Sequence, residues 1–530
     1  MRVDEAGQHD LHRMAVGSVG GEQGQDHVPV GLEQVAAVDL GLLGVEVLGT
    51  PARNWRIRKM LNPVTAVGGM TPGHRWASQN WLRYLAAQGG TLQDPWIDRQ
   101  VPHPSTTQYR FGMDLPHRKR VAITGMGFVT PIGSDPEQVW ANLRDARPGI
   151  DLITRFDASE HPARIAGEVR DFDPTRFMDR KSARNHGRYV QYVLAASRLA
   201  VEHSGIDLAH VGSADCGVVV GTAFGGLEVT EAGQGALLSG GVRRVSPFTV
   251  PMMLADMAPA VVAMELRVGG PNFAVVSACA SSGDALGQAA EAIRRGTATA
   301  MIAGGAEASI TPLAMAGFAQ VKALSLRNHD PAGASRPFDS ERDGFVMAEG
   351  AVMLVLEEMR HARSRGATVW AELAGYGSTC DMYHYVAPHP EGEGVIRVMR
   401  IALEDAGVTP AEIDYVSAHA TSTPDGDLAE AVAIERVLDR SPPVPVSSTK
   451  SVTGHMIGAA GAMGAAATAL AMRHGTLPPT ANLDHQDPAC RLDCVPIKAR
   501  PAEISVAMVN TFGFGGHNAC LVLRSGSVRS

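Results

Sequence analysis

Three loops hold the residues that could do chemistry. Cys279 stands in Val276-Ser277-Ala278-Cys279-Ala280-Ser281-Ser282-Gly283, between an apolar run at 273–276 and a small-residue helical pattern at 284–293. Strand, sharp turn and helix in that order lift the sulfur and surround it with the free N–H groups and positive dipole end of a helix start. Both effects favour thiolate. His419 follows Tyr415-Val416-Ser417, and His455 in Gly454-His455-Met456 opens a run rich in glycine and alanine. A helix start disfavours a cation, so His455 is expected as neutral imidazole that can donate to a developing enolate. Lys450 lies five residues earlier, and Thr421 and Thr423 offer hydroxyls to the amides of an extended ligand. In the third loop, Asn510-Thr511-Phe512-Gly513-Phe514-Gly515-Gly516-His517-Asn518, the glycines let backbone N–H groups approach closely. An amide there and that of Cys279 could face one thioester oxygen, under an apolar lid of Phe512 and Phe514. Alone, each residue has a plainer reading: an inert core cysteine, a capping histidine, a packed turn. Together, one cysteine and two histidines from separate regions point to thioester chemistry rather than a metal site.

The elements that must position these loops read as short apolar strands alternating with longer helices. Strands are expected at 121–124, 216–221, 273–276, 298–303, 351–356, 415–417, 444–447, 504–509 and 520–523. Helices are expected at 189–202, 246–266, 357–365, 395–406, 428–438 and 456–473. This is α/β layering, and two such series suggest a duplicated body. Gly125-Met126-Gly127 after the first strand mimics a dinucleotide turn. Its third glycine is misplaced, and Thr130-Pro131 stands where a helix should open, so the nucleotide reading is weak.

Composition narrows the class. The chain has 530 residues, 45% hydrophobic, 5% aromatic, with 58 glycines and a formal charge of -8. It is too long for one small core, and its charge gives no general case for nucleic acid or an anionic membrane. No apolar run approaches a membrane span. Asp4 and Glu5 stand where a secretory leader would be basic, so the six thinly spread cysteines are expected as reduced thiols in a cytoplasmic protein. Cys490 and Cys494 lack a second pair for zinc. Residues 1–117 carry four of the six tryptophans and alternate poorly; they read as an extension of uncertain order, or as sequence upstream of a native start.

Eight stretches in family order (121–133, 221–227, 270–287, 303–308, 335–350, 415–427, 446–461 and 510–519) resemble the elongating β-ketoacyl-acyl carrier protein synthases of the thiolase-like superfamily. The resemblance covers roughly 118–525 and implies a duplicated five-layer αβαβα fold and a homodimer. It divides the chain into a nucleophile half at 118–367 and a histidine half at 368–525. It further implies that Cys279 takes the acyl group from acyl carrier protein, that His419 and His455 bind the malonyl carbonyl and assist decarboxylation, and that Lys450 organises them. Cys279 and Phe514 would supply the oxyanion N–H groups, Phe514 with Phe512 the gate, and Thr421 and Thr423 the phosphopantetheine contacts. No redox cofactor is implied. Arg180, Lys181 and Arg184 are the expected contacts for an acidic carrier.

The chain departs from that pattern at four places. Gly464 replaces a glutamate nine residues after His455, which weakens any structural monovalent cation site unless Asp343 or Glu349 substitutes. Ala420 replaces a glycine. Phe224 stands where isoleucine is usual in the acyl tunnel, and Thr249 where a second phenylalanine is common; together they imply an altered acyl preference. A type II polyketide or specialised acyl pathway, and a noncatalytic partner subunit, stay open as alternatives. A degradative thiolase, which would use Cys520, fits less well.

Overall fold

In the computed structural model, the described residues are 45–48, 56–59 and 118–526. The expected extension over 1–117 therefore lies outside the described residues, apart from an antiparallel pair of strands, Val45–Leu48 and Arg56–Lys59.

The body is built on eleven strands: β1 Val121–Val129, β2 Cys216–Gly221, β3 Asn272–Val275, β4 Ala300–Glu307, β5 Gly350–Glu358, β6 Ala371–Cys380, β7 Tyr415–Ser417, β8 Pro445–Ser447, β9 Asp493–Cys494, β10 Val506–Gly513 and β11 His517–Ser525. Their order is β9-β8-β7-β10-β11-β6-β1-β5-β4-β2-β3. The halves repeat one scheme. In the first, β3, β2 and β4 are parallel, and β5 and β1 follow antiparallel. In the second, β8, β7 and β10 are parallel, and β11 and β6 follow antiparallel. Only β9 is added, outside β8. A short antiparallel pairing of β1 with β6, Ile123 with Ala371 and Ala122 with Glu372, joins them.

Five helices complete the layers: α1 Arg188–Ser204, α2 Ser281–Arg294, α3 Glu393–Ala406, α4 Pro424–Val437 and α5 Ala460–His474. α1 covers β1 and β5; α3 covers β6 and β11. Between the two halves, α2 and α5 pack on each other and each touches strands of both sets. α3 shows how sequence decides a layer: Val395, Ile396, Val398, Met399, Ala402 and Leu403 form one buried stripe, while its other side is charged apart from Ile401. α5 is alanine-rich and buried from Ala460 to Met472, as a helix enclosed on every side requires.

Gly125 and Gly127 are not a turn. They lie inside β1, where added Cβ atoms would collide with the Ala200 and Ala196 carbonyls of α1. Gly375 and Gly377 of β6 face the Ala402 and Val398 carbonyls of α3 in the same way. The glycine pair is a helix-packing device used once in each half, which disposes of the nucleotide reading. The helix expected at 246–266 is two short helices, Thr249–Met253 and Met257–Leu266. No helix among the described residues is long and apolar enough to cross a membrane.

Gly127→Ala should cost at least about 2 kcal/mol by denaturant unfolding, the scale of overpacking in a closed core. Gly317→Ala, at an exposed helical site with nothing within 4 Å of the added Cβ, should instead be neutral or gain about 0.5–1 kcal/mol. Equal midpoints for the two variants would refute the packing account of β1 on α1.

Candidate active site

The nucleophile and one histidine occupy equivalent places in the two halves. β3 leads through the short 3-10 turn Ala278–Ala280 into α2; β8 leads through Lys450–Thr453, His455 and the 3-10 turn Ile457–Ala459 into α5. Cys279 thus stands two residues ahead of α2 and His455 five ahead of α5, so His455 does not itself open the helix. Gly283 and Gly461 let the helices touch: a Cβ on Gly461 would stand 2.7 Å from the Gly283 nitrogen. Each of these loops carries a residue in the left-handed region within three positions of its functional residue: Ala278 (φ 51°) before Cys279, Ser422 (φ 73°) after His419, Ile457 (φ 45°) after His455. Such conformations cost about 1–3 kcal/mol each and persist only where the surroundings fix them.

The Cys279 turn is fixed by hydroxyls. Ser281 Oγ accepts from Ser277 N at 2.9 Å and donates to the Ala278 carbonyl at 2.6 Å. Ser277 Oγ donates to Asp284 at 2.6 Å, and Tyr376 donates to the other oxygen of that carboxylate at 2.7 Å. The third loop closes over this turn. A Cβ on Gly513 would be 2.8 Å from the Cys279 nitrogen, so only glycine admits β10 so close. The N–H groups of Phe514 and Cys279 both point to the sulfur. They are therefore placed to hold an oxygen that develops charge there.

His419 is held by Glu430, a residue the sequence reading did not single out. Its carboxylate accepts from His419 N at 2.9 Å, Ala420 N at 2.7 Å and Asn510 Nδ2 at 3.0 Å. The two imidazoles lie edge to face, centroids 5.5 Å apart. His419 Nδ1 and both ring nitrogens of His455 have no hydrogen-bond partner. Thr421 and Thr423 are joined Oγ1 to Oγ1 at 3.1 Å in the loop after His419. Phe512 lies 5.4 Å from the His419 ring. A second aromatic series runs from His455 to Phe345 (5.3 Å), Phe318 (5.3 Å) and Phe224 (6.0 Å), with Phe514 6.1 Å from Phe318. Phe224 thus joins the site through Phe318, itself absent from the sequence reading. Thr249 stands at the start of its short helix with its methyl toward Gly233.

Burial governs the protonation states. It holds both imidazoles well below the usual histidine range, and the Lys450 charge adds to this, so both are neutral bases near pH 7. Lys450 is itself buried, and burial pushes its ammonium down while the Glu430 carboxylate opposes the shift. Burial pushes the Glu430 carboxyl up, against its hydrogen bonds from Asn510, His419 and Ala420. Cys279 departs from expectation. It packs against the cluster holding Phe345 and Ile457, and burial pushes its thiol up to about 12, although Lys450 and the Phe514 and Cys279 N–H groups pull it down. The helix start alone does not produce thiolate, because desolvation outweighs it.

The carboxylates acting on Lys450 are Glu430 and, more weakly, Asp427, not Asp343, which accepts from Leu326 N, nor Glu349, which binds Arg155. Position 464 itself offers no carboxylate to a cation, and a Cβ there would stand 3.0 Å from Val509 and 3.4 Å from Ser417 Oγ. Among the described residues no cluster of His, Cys, Asp and Glu is arranged to hold a metal ion. Cys490 and Cys494 are buried free thiols.

The chain matches two family models, the beta-ketoacyl synthase N-terminal domain over residues 118–362 and C-terminal domain over 370–484. It is 47% identical over 408 residues to a 3-oxoacyl-[acyl-carrier-protein] synthase 2 of Synechocystis sp., covering 77% of this chain and 98% of that one. Among solved structures it is similar to the ishigamide ketosynthase/chain length factor (37% identity, TM-score 0.73, 77% and 99% of the two chains). It is also similar to a type II PKS acyl-carrier protein in complex with its ketosynthase bound to the hexaketide (31%, TM-score 0.71, 77% and 100%).

Alkylation of Cys279 by iodoacetamide should keep accelerating with pH up to at least about pH 10, because the thiolate fraction rises until the raised pKa is passed. Lys450→Met, which removes a charge that lowers that pKa, should slow alkylation at pH 8 by about tenfold. A plateau near pH 7, with no effect of the Lys450 variant, would sink this electrostatic account.

Proposed function

The chain belongs to the β-ketoacyl synthase family and carries its condensing acyltransferase chemistry, and from that premise we propose that it extends a carrier-bound acyl chain by two carbons, with malonyl-carrier protein as the donor. The carrying observation is the pair of neutral imidazoles, edge to face at 5.5 Å with three ring nitrogens that lack internal partners, in loops that meet the Cys279 turn, where two N–H groups serve the sulfur.

The steps follow from that arrangement. Cys279 attacks the acyl thioester, and the oxyanion is held by the Cys279 and Phe514 N–H groups. The carrier thiolate leaves and takes up the proton lost by the cysteine; a neutral imidazole is the base that relays it. Malonyl thioester then enters against His419 and His455, which donate to its carbonyl oxygen. Carbon dioxide leaves, and the electron pair of the broken bond becomes an enolate that neutral imidazole hydrogen bonds stabilise without first surrendering a charge. Its carbon attacks the acyl-cysteine carbonyl, and the cysteine sulfur leaves as thiolate and takes up a proton from solvent to restore the resting thiol. Tethering both partners in one water-poor chamber favours C–C bond formation over protonation of the enolate. Thr421 and Thr423 line the approach of the phosphopantetheine arm, and Phe512 and Phe514 serve as the gate.

Acyl carrier protein is the proposed partner. Arg180, Lys181 and Arg184 lie exposed on one short helix, Arg180–Asn185, as docking of an acidic surface needs. A homodimer is supported by the sheet edge at β3, where Phe273 is 39% and Val276 58% exposed, beside exposed Phe248, Val250 and Leu254. The free cysteines support a reducing, cytoplasmic setting. We place the halves at 118–367 and 368–525. The aromatic series ending at Phe224 favours a restricted acyl chamber and keeps a polyketide or specialised pathway as the second reading.

Mass analysis of products from matched malonyl- and acyl-carrier substrates should show a 3-ketoacyl thioester two carbons longer. Cys279→Ala should abolish extension yet retain decarboxylation, whereas His455→Ala should lose decarboxylation by about 10²–10⁴-fold, the scale of one well-placed proton donor or base. Protein that neither loads acyl groups nor decarboxylates malonyl carrier would point instead to a noncatalytic partner subunit. Phe224→Ile should shift the preferred acyl length upward; an unchanged length profile would remove Phe224 as a determinant.

A further inference from the structure

Glu307 is a buried acid that the condensation steps do not use. It ends β4 and is fully enclosed. Its Oε2 accepts two backbone N–H groups from opposite halves of the fold: Ala223 N at 2.8 Å and Gly458 N at 3.2 Å. Thr222 Oγ1 donates to Oε1 at 3.4 Å, and the Phe224 N–H also favours the charged carboxylate. Ala223 and Phe224 belong to the loop after β2 whose aromatic ring meets Phe318. Gly458 lies in the turn three residues after His455, next to Ile457 in its left-handed conformation.

The fit is close enough to exclude accident of packing. A Cβ on Gly458 would stand 2.8 Å from Glu307 Oε2 and 2.7 Å from Ala223 N, so only glycine lets the two loops share this carboxylate. The first loop is also tied to the nucleophile, since Ser281 Oγ lies 3.3 Å from the Thr222 carbonyl. A buried carboxylate is costly to keep and accounts for itself only through the donors it satisfies. Burial holds Glu307 up to about 7, and its backbone N–H donors oppose that shift.

We propose that Glu307 is a positioning residue that ties the chamber wall at Phe224 to the turn after His455, so that wall and imidazole keep a fixed relation and displacement of one is felt at the other. The proposal rests on the reading above for what the chamber holds, but the tie itself is the carboxylate shared by two backbone N–H groups. Movement of Phe224 by an over-long chain pulls on Ala223, through the shared carboxylate on Gly458, and so on the imidazole that must meet the malonyl carbonyl.

The test uses the full chain with Glu307→Gln, Glu307→Ala and Gly458→Ala. Amide hydrogen exchange is read at 222–226 and 455–459, acyl transfer across a series of straight-chain acyl-carrier thioesters, and malonyl-carrier decarboxylation in a Cys279→Ala background. Glu307→Gln can set its carbonyl oxygen toward Ala223 and Gly458 and its NH₂ toward the Thr222 hydroxyl, so it should rescue, with exchange and chain-length profile within about twofold of the parent. Glu307→Ala should raise exchange in both segments about tenfold or more while other segments stay protected. It should also broaden acyl-length preference and slow decarboxylation about tenfold. Gly458→Ala, a single added methyl, should do the same from the other side and carries the test if Glu307→Ala does not fold. Loosening confined to 222–226, an unchanged length profile, or a Glu307→Gln variant as impaired as Glu307→Ala would each overturn the proposal. Inactive unmutated protein would remove the functional reading, while exchange would still decide the tie.

Discussion

Everything in the site depends on how closely the two central helices meet. Gly283 and Gly461 bring the backbones of α2 and α5 together, and Ser282 Oγ accepts from Ala462 N across the crossing. The loops that precede those helices therefore converge on one space, and the repeat of strand order in the two halves makes the loops equivalent. Cys279 comes from one and His455 from the other. The duplication thus supplies two helix-leading turns, and divergence within them supplies two different functional groups. A residue larger than glycine at the crossing would separate sulfur and imidazole without altering either loop.

That convergence also explains the electrostatics. A chamber closed by Phe345, Phe318 and Ile457 has little water, so each ionisable group in it is pressed toward its neutral form. The effect suits the imidazoles, which serve an enolate best when neutral. It works against the thiol, and Lys450 with two N–H groups recovers only part of the loss. The compromise favours attack at the moment a base accepts the proton over a standing thiolate. Lys450 tolerates the same chamber because Glu430 shares its burial; either one alone would be an uncompensated charge.

Much of this was legible in the residues. The apolar runs gave the strands with ends shifted by a few residues, and the three chemical loops were visible because glycine, cysteine and histidine cluster where elements end. What misled was local. Gly125-Met126-Gly127 has the look of a turn, yet these glycines serve the close approach of α1 to β1, and only the matching Gly375 and Gly377 against α3 reveal a repeated packing device. Glu430 and Glu307 were missed for the opposite reason. Each sits in a run of small residues, Ala429-Glu430-Ala431 and Gly305-Ala306-Glu307, with nothing in the sequence to name its partners. A lone acid in so apolar a stretch is itself the signal, because burial there is affordable only with several donors waiting.

The same logic bears on the departure at position 464. A glutamate there would add a carboxylate near a chamber already holding Glu430 and Asp427 around one lysine. In this chain position 464 carries no carboxylate, and a Cβ there would meet Val509 at 3.0 Å and Ser417 Oγ at 3.4 Å, while Glu430 holds His419 N, Ala420 N and Asn510. Of the two acids around Lys450, Glu430 is the one that also fixes the His419 loop, and it does so through the backbone rather than through the imidazole ring.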